Sequence, residues 1–443
     1  MLFKRLARSE LLSTFFPTWI WQGRQWAKWR IPKYDKYYWL SAYSHPVIST
    51  YYAPHAIIGF IGSKISLDGA FNLLVWNMLM HMSFSFFGWY CLVNISTSSN
   101  WIALLGAITF TLAGYNWKQQ PCFQYTVAWF PWILYGLATH NQWLAGISLG
   151  MLLLAGYYPI GLQIIAIAIG AAICWGAHLW FVPIGVLIGL PQIIPFIRYL
   201  PKTIRTKKVS GIGKVPWWQF GSLIFPKAYR FSVNGVGYWE MSYYIGLIPL
   251  FTLWCTRSMA IWLTMLSILL MLGICGKYLP RIPARFSYAF QFGLIWCAVD
   301  GLNRMNLPNT VLVLLCLIQA YDLWKNNSPL LVNHPYAELY NKPSRAFNTR
   351  LTRFLEANLG DYRVSGLPYP LFTGHINRLK TLGYSGGMQL KLMAKWRHDD
   401  SSDGSGQHDF FKGGGNPDDL KRSRVKYAYT TQRTNWVHTE IKY

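Results

Sequence analysis

Acidic side chains are scarce in this chain. It has 16 Asp and Glu against 41 Lys and Arg, for a formal net charge of +25. Charge of either sign is scarce too, at 13% of residues, where soluble domains carry about a quarter. The shortfall is concentrated: residues 69–117 contain no Asp, Glu, Lys or Arg, and neither do residues 119–197. Such runs exclude an ordinary soluble fold, whose surface helices must turn a polar face to water. A bilayer accommodates them, since one span takes about 20 apolar residues and only helices or closed barrels satisfy their backbone there. The apolar/polar alternation of an outer-membrane barrel is missing, so the runs read as helices. No two cysteines stand as CxxC, which leaves no signature of a zinc ribbon or redox pair. The cysteines read instead as small apolar residues within helices. Met1–Glu10 is basic, but no short apolar stretch with a small-residue cleavage site follows, so no cleaved leader is expected. No internal repeat is visible, which argues against a transporter built on inverted repeats.

What is present is 53% apolar and 17% aromatic residues. The expected fold class is an all-α polytopic membrane protein of about ten transmembrane helices, with a small α/β extramembrane domain at the C-terminal end. Residues 1–70 are aromatic, basic and punctuated by proline (Phe16-Pro17, Tyr37-Tyr38-Trp39, Pro46, Pro54). They read as amphipathic or re-entrant segments on the membrane face, because Trp and Tyr favour the headgroup level. Residues 71–324 form the transmembrane domain, with spans expected at 71–95, 101–115, 126–139, 143–157, 161–177, 180–198, 242–256, 259–276, 286–303 and 308–324. A hydrophilic loop, 199–241, interrupts them. Residues 325–443 hold most of the acidic residues. There Ser344–Leu359 reads as a helix, with Phe347, Leu351, Phe354 and Leu355 at helical spacing and Gly360 just past the end. Tyr362–Val364 and Val425–Thr430 read as strands, and Asp399–Asp419 as a Gly, Ser and Asp-rich linker.

Counting loops alternately puts nearly all basic segments on one face: those before residue 70, Lys118, the 199–241 cluster, Lys277, Arg281 and Arg285. The other face keeps Arg257 and Arg304. The positive-inside rule would make the basic face cytoplasmic; a face that handles anionic lipid phosphates is the alternative. A nucleic-acid partner is not expected, because the basic residues flank spans and form no recognisable nucleic-acid module.

Ser9-Glu10-Leu11 leading to Phe15-Phe16-Pro17 is similar to an acidic residue followed by an aromatic-Pro segment in the YfhO family of bacterial membrane proteins, and further segments, in order along the chain, resemble that family too. Ile31–Lys36, His45-Pro46 and Tyr51-Tyr52-Ala53-Pro54 resemble its later Pro-containing stretches. Ala128-Trp129-Phe130-Pro131-Trp132 resembles its A-W-x-P segment. Leu154-Ala155-Gly156-Tyr157-Tyr158-Pro159, with Gln163, resembles L-A-G-H-P-Q, a Tyr standing for the His. Arg281-Ile282-Pro283-Ala284-Arg285-Phe286 resembles R-x-P-x-R-F. Asp361–Val364, Leu382–Ser385 and Val425-Lys426-Tyr427 resemble parts of its extracytoplasmic domain. The resemblance implies a GT-C-like helical bundle in the bacterial cytoplasmic (inner) membrane, with the C-terminal domain extracytoplasmic. It implies transfer of a sugar from a polyprenyl-phosphate donor to a cell-envelope lipid or polymer, with a divalent cation as an optional cofactor. A transporter or flippase of a lipid-linked sugar, and a catalytically inactive or truncated relative, are the alternatives. In the family a membrane span precedes the acid; here nine residues precede Glu10.

Such chemistry needs a carboxylate to take the acceptor's proton and cations to stabilise the leaving phosphate. The acids before residue 333 are Glu10, Asp35, Asp68, Glu240, Asp300 and Asp322. Glu10, where the family's acid would be, is the first candidate base, against a plain carboxylate at a helix start capped by Ser9. Asp35 is the second, against a turn residue. Asp300 follows an uncharged stretch, which marks an intramembrane acid as a functional candidate, against a local pair with Arg304. For the phosphate, Arg281 and Arg285 are the candidates, since guanidinium offers paired donors; the alternative is a pair of anchors at a span end. Arg198, Lys202 and Arg205 form a second basic group, against a solvated charge run. Gln163 joins the substrate-binding candidates through the resemblance. His81, His140 and His178 read as polar contacts between helices, with no zinc spacing. Gly156 and Gly161 read as sites of close helix approach.

Overall fold

Helices account for most of what the computed structural model describes, namely residues 16–32, 49–97, 99–114, 121–199, 214–226, 242–274, 283–327, 343–359, 363–365 and 425–428. The chain divides into two compact units. One comprises Met1–Asn77, Ile194–Lys207 and Leu330–Tyr443; the other comprises Met78–Ile193 and Lys208–Pro329.

In the first unit, α1 (Phe16–Trp26) packs against α2 (Ala53–Gly62). Glycine lets the two backbones meet, for a Cβ on Gly23 would strike the Gly59 carbonyl. The Trp19 indole lies close over Gly59 and Gly62 and donates from Nε1 to the His55 carbonyl at 3.2 Å. Gln22 donates to Thr50 Oγ1 at 3.0 Å. Phe16 meets Phe71, at the start of α3 (Leu67–Ser96), edge to face with centroids 5.2 Å apart. Phe16 through Gly23 are all buried. Phe16, Trp19 and Trp21, expected in a segment on the membrane face, pack inside this unit.

The expected helix over Ser344–Leu359 is two helices, α14 (Pro343–Phe347) and α15 (Arg350–Asn358). The break has a local cause. Thr349 is extended and acts as the N-cap of α15, accepting from the Thr352 N–H at 3.1 Å. The Thr352 hydroxyl lies 2.9 Å from the Thr349 N–H, which completes a reciprocal capping box. Phe347 and Leu355 are buried, whereas Phe354 is exposed and does not belong to the apolar face. β1 (Arg363–Ser365) and β2 (Val425–Ala428) pair in parallel, with Arg363 opposite Val425 and Val364 opposite Tyr427. Gly360 and Asp399–Asp419 lie outside the described residues.

The second unit contains the rest of α3 and then α4 (Asn100–Leu112), α5 (Pro121–Val127), α6 (Phe130–Ala138), α7 (Gln142–Ala155), α8 (Tyr158–Cys174) and the start of α9 (Phe181–Tyr199). A 3-10 turn, Trp217–Leu223, follows. Next come α10 (Leu247–Thr252), α11 (Ala260–Met271), α12 (Ser287–Arg304) and α13 (Asn309–Asn327). Its centre is aromatic: Trp89 stacks on Phe110 at 4.0 Å, and Phe130 and Phe292 close around them. Helices α7 and α9 interlock through glycines. A Cβ on Gly146 or Gly150 would stand 2.7 or 2.5 Å from Ile184 or Ile188, and one on Gly185 or Gly189 would meet Leu149 or Leu153. The partners advance together along both helices, so α7 and α9 run parallel with α8 between them in sequence. Small residues at these positions let the two helix backbones approach closely.

Two helices, Leu67–Ser96 and Phe181–Arg198, are long and apolar enough to cross a membrane; Asn100–Leu112, Gln142–Ala155, Tyr158–Cys174 and Ala260–Met271 are shorter apolar helices. Two expected spans are not continuous. The stretch 126–139 is broken at Ala128-Trp129, between α5 and α6. The stretch 242–256 is non-helical over Ser242–Gly246 and becomes helical only at Leu247. Gly246 has φ 90°, a value that side chains disfavour. Gly156, with φ 83°, ends α7 in the left-handed cap position that glycine adopts readily. Gly161 does meet Leu152 closely, at 3.2 Å from its added Cβ.

Candidate functional site

The sequence candidates Glu10, Asp35, Lys202, Arg205 and Arg281, and also Glu240, lie outside the described residues. Arg198 is exposed in the last turn of α9. Arg285 and Gln163 fall in the second unit, and there three separated stretches of sequence come together.

The local reasons for the meeting are visible. Gly156 turns the chain out of α7, and Pro159, in the first turn of α8, restarts a helix two residues later. Tyr157 sits at the corner as the N-cap residue. Its N–H donates to Thr126 Oγ1 at 3.2 Å, tying the corner to α5. Phe123, also on α5, packs edge to face against both Tyr157 (5.9 Å) and Tyr288 of α12 (5.7 Å). The 3-10 turn Pro283–Phe286 runs directly into α12. It carries Arg285 to the corner, where Cζ lies 5.7 Å from the Tyr157 ring centroid. The α6 entry is fixed nearby. Trp132 donates from Nε1 to the Phe84 carbonyl at 3.1 Å, and Gly88 leaves room for Pro131 and Trp132.

A guanidinium over an aromatic face is attracted by the ring quadrupole. The start of α8 adds the partial positive charge of a helix N-terminus. Together they favour an anion at the corner. Gln163, one turn into α8, donates from Nε2 to the Pro159 carbonyl at 3.2 Å, and its Oε1 has no partner among the described residues. Its hydrogen bond therefore fixes the helix entry. Gln124, 3% exposed on α5, has neither amide atom paired among the described residues. Sequence reading missed Gln124, Thr126 and Tyr157 as site residues. The signal for Gln124 was its place in a charge-free run, where an amide must find a polar partner.

The described acids of the apolar region have structural partners. Asp300 accepts from the Arg257 N–H (2.8 Å), Thr256 Oγ1 (3.0 Å) and Arg304 Nε (3.1 Å), so the local pair with Arg304 is formed. Asp322 accepts from the Tyr244 hydroxyl at 2.6 Å and from Asn326 at 2.6 Å. His81 is buried with its ring 4.5 Å from that of Tyr125. His140 and His178 are exposed, His140 in a turn with φ 57°, which corrects their reading as contacts between helices. Among the described residues no three His, Cys, Asp or Glu side chains come together, so a divalent cation has no such ligand cluster there.

No family model matches the chain, and no curated protein or solved structure is significantly similar to it.

Proposed function

We propose that this chain is a multi-pass membrane protein of the bacterial cytoplasmic membrane. In this reading it is a GT-C-like glycosyltransferase of the YfhO type, which moves a sugar from a polyprenyl-phosphate donor to a cell-envelope lipid or polymer. The observation that carries the reading is the corner formed by Arg285, Tyr157 and the start of α8. Two stretches that bear the family resemblance meet there, Leu154–Pro159 through Tyr157 and Arg281–Phe286 through Arg285. In this reading Arg285 and Arg281 hold the donor phosphate and stabilise the charge that develops as the sugar leaves. Gln163 keeps the corner in shape, and Glu10 takes the proton from the acceptor hydroxyl, with Asp35 as the second candidate. The C-terminal strands and helices are the small extracytoplasmic α/β domain of this reading.

Membrane residence is supported by apolar surface. The apolar window of Phe181–Arg198 is only 22% buried, and α11 and α13 show Trp262, Leu266, Leu314 and Leu317 outward. Core helices of soluble proteins hide such residues, and exposed apolar patches of this extent mark a lipid or partner surface. A lipid-linked-sugar flippase is favoured by one observation, the interruption of two expected spans at Ala128-Trp129 and Ser242–Gly246.

A transfer assay in lipid nanodiscs tests the reading. Radiolabelled polyprenyl-phosphate sugars are offered with an envelope-lipid extract to the wild type, Glu10→Gln and Arg285→Gln. Label entering product with wild type, and reduced at least about a hundredfold in either variant, supports transfer. Label crossing a vesicle membrane with no bond broken supports the flippase. No transfer and no movement by folded protein contradicts both.

A further inference from the structure

Arg285 stands two residues before α12, and Arg304 ends it. The 18 residues of α12 measure about 27 Å along the axis, close to the hydrocarbon thickness of a bilayer. The Arg304 end therefore lies about one membrane thickness from the Arg285 corner.

Several turns of chain gather at that end. Phe110 of α4 lies against Phe292 of α12, with centroids 5.9 Å apart, whereas Gly106, one turn earlier in α4, packs on Val299 and on Val93 of α3. So α4 and α12 run antiparallel, and the end of α3, the start of α4 and the end of α12 share one side. The chain between α10 and α11 joins them. Thr252 donates to the Ala298 carbonyl at 3.0 Å, and a Cβ on Gly301 would strike the Thr252 carbonyl. Asp300 then pins the loop, accepting from Thr256 Oγ1 at 3.0 Å, from the Arg257 N–H at 2.8 Å and from Arg304 Nε at 3.1 Å.

Within residues 241–276 and 286–321 the charged side chains are Arg257, Asp300 and Arg304, two cations against one anion. Asp300 offsets Arg304, with which it is paired. The Arg257 side chain is exposed and in no ion pair among the described residues, so the end keeps a positive charge. Its surroundings are aromatic and apolar. Trp254 is 91% exposed, Phe251 75% and Met259 74%, and Met305 is exposed beside Arg304. Outward-facing apolar residues continue from here along α11 and α13, with Trp262, Leu266, Leu314 and Leu317.

We propose that this end of the second unit is a docking surface for an anionic phospholipid. The lipid phosphate meets the Arg257 guanidinium, and Trp254 and Phe251 lie at the level of its headgroup and glycerol. Trp favours that level, guanidinium offers the paired donors that phosphate accepts, and an uncompensated cation favours an anionic headgroup over a zwitterionic one. Lipid is favoured over a protein partner because the exposed surface runs on uncharged along α11 and α13, as acyl chains require. The inference rests on the membrane reading and is independent of sugar transfer.

Thermal unfolding of the purified full-length chain in detergent micelles tests it, with phosphatidylglycerol or phosphatidylcholine titrated in. The wild type is expected to unfold about 3 °C higher in saturating phosphatidylglycerol than in phosphatidylcholine. Arg257→Gln leaves the backbone bond to Asp300 in place and should raise the phosphatidylglycerol midpoint about fivefold. Arg353→Gln removes the same charge from α15 and should leave the midpoint unchanged. Equal stabilisation of the wild type by the two lipids, or equal midpoints for wild type and Arg257→Gln, overturns the proposal and leaves the membrane reading standing. Stabilisation by inorganic phosphate as large as that by phosphatidylglycerol would mean a site for a free anion and overturn it. Self-association that Trp254→Ala abolishes, with no response to lipid, would assign the surface to a second copy and overturn it too. A wild type that stays folded and monodisperse once detergent is removed contradicts the membrane reading, and the proposal with it.

Discussion

Asp68 accepts two hydrogen bonds from Ser344, one from the backbone N–H and one from the hydroxyl, each at 2.8 Å and across 276 residues of sequence. The carboxylate belongs to the first turn of α3, and the donors belong to the first turn of α14. An acid at a helix start meets the exposed N–H groups and the positive end of the helix dipole. Phe16 reinforces the junction, since its ring lies 5.2 Å from Phe71 and 6.3 Å from Phe347. This contact ties the segment after the last apolar helix to the beginning of the first long one.

Removing Asp68 should therefore loosen α14. Asp68→Ala leaves two donors unpaired and should cost about 1.5–3 kcal/mol, the range for hydrogen bonds to a charged group. Ser344→Ala removes one bond and should cost less. Limited proteolysis read at residues 343–359, with wild type and both variants side by side, measures the effect. Equal protection of Asp68→Ala and wild type would show that the contact holds nothing in place.

The glycines of α7 and α9 make a second prediction, with an internal control. Gly150→Ala puts a methyl against Ile188, at 2.5 Å from its Cβ, and should destabilise by about 1–3 kcal/mol through overpacking. Gly170, on α8, has nothing within 4 Å of an added Cβ. Gly170→Ala should be neutral or stabilising by up to about 1 kcal/mol through helix propensity. Unfolding temperatures in detergent decide the matter, and two variants that behave alike would contradict the interlocked packing.

Much of the helix pattern was legible in the sequence. Expected spans at 71–95, 143–157, 180–198 and 308–324 overlie α3, α7, α9 and α13, because long charge-free apolar runs leave the backbone one local solution. What was not legible depends on contacts made from far away. Ser242–Gly246 lies inside a stretch read as a span, yet it is not helical, and Gln291, Gln319 and Asn327, well removed in sequence, donate to its carbonyls. The visible hint was Gly246. The break at Thr349 was written locally, as Thr-x-x-Thr, but the apolar spacing of Phe347, Leu351 and Phe354 masked it. Arg285 was readable as a candidate. That Tyr157 would lie under it, held by Thr126, follows only from how α5, α8 and α12 pack.

The Tyr244–Asp322 hydrogen bond gives a third prediction. Its O···O distances of 2.6 and 2.7 Å are those of a hydroxyl donating to a charged carboxylate. The same carboxylate accepts from the Leu247 N–H at 3.3 Å, where α10 begins. Tyr244→Phe should cost about 1.5–3 kcal/mol. Asp322→Asn should cost a similar amount, and the double variant less than the sum because the two share one interaction. Thermal unfolding of the four proteins measures the coupling, and strict additivity would show that the pair is not coupled.

The most direct test of the central claim is equilibrium binding of a polyprenyl phosphate without its sugar to nanodisc-embedded protein, comparing wild type with Arg285→Gln. Phosphate recognition at the Arg285–Tyr157 corner predicts saturable binding that weakens at least about tenfold in the variant, as expected for a lost charge-assisted contact. It also predicts that the uncharged polyprenol binds poorly to both. Equal affinity of both proteins for the phosphate, or equal affinity of the wild type for phosphate and alcohol, would contradict the assignment of this corner to the donor.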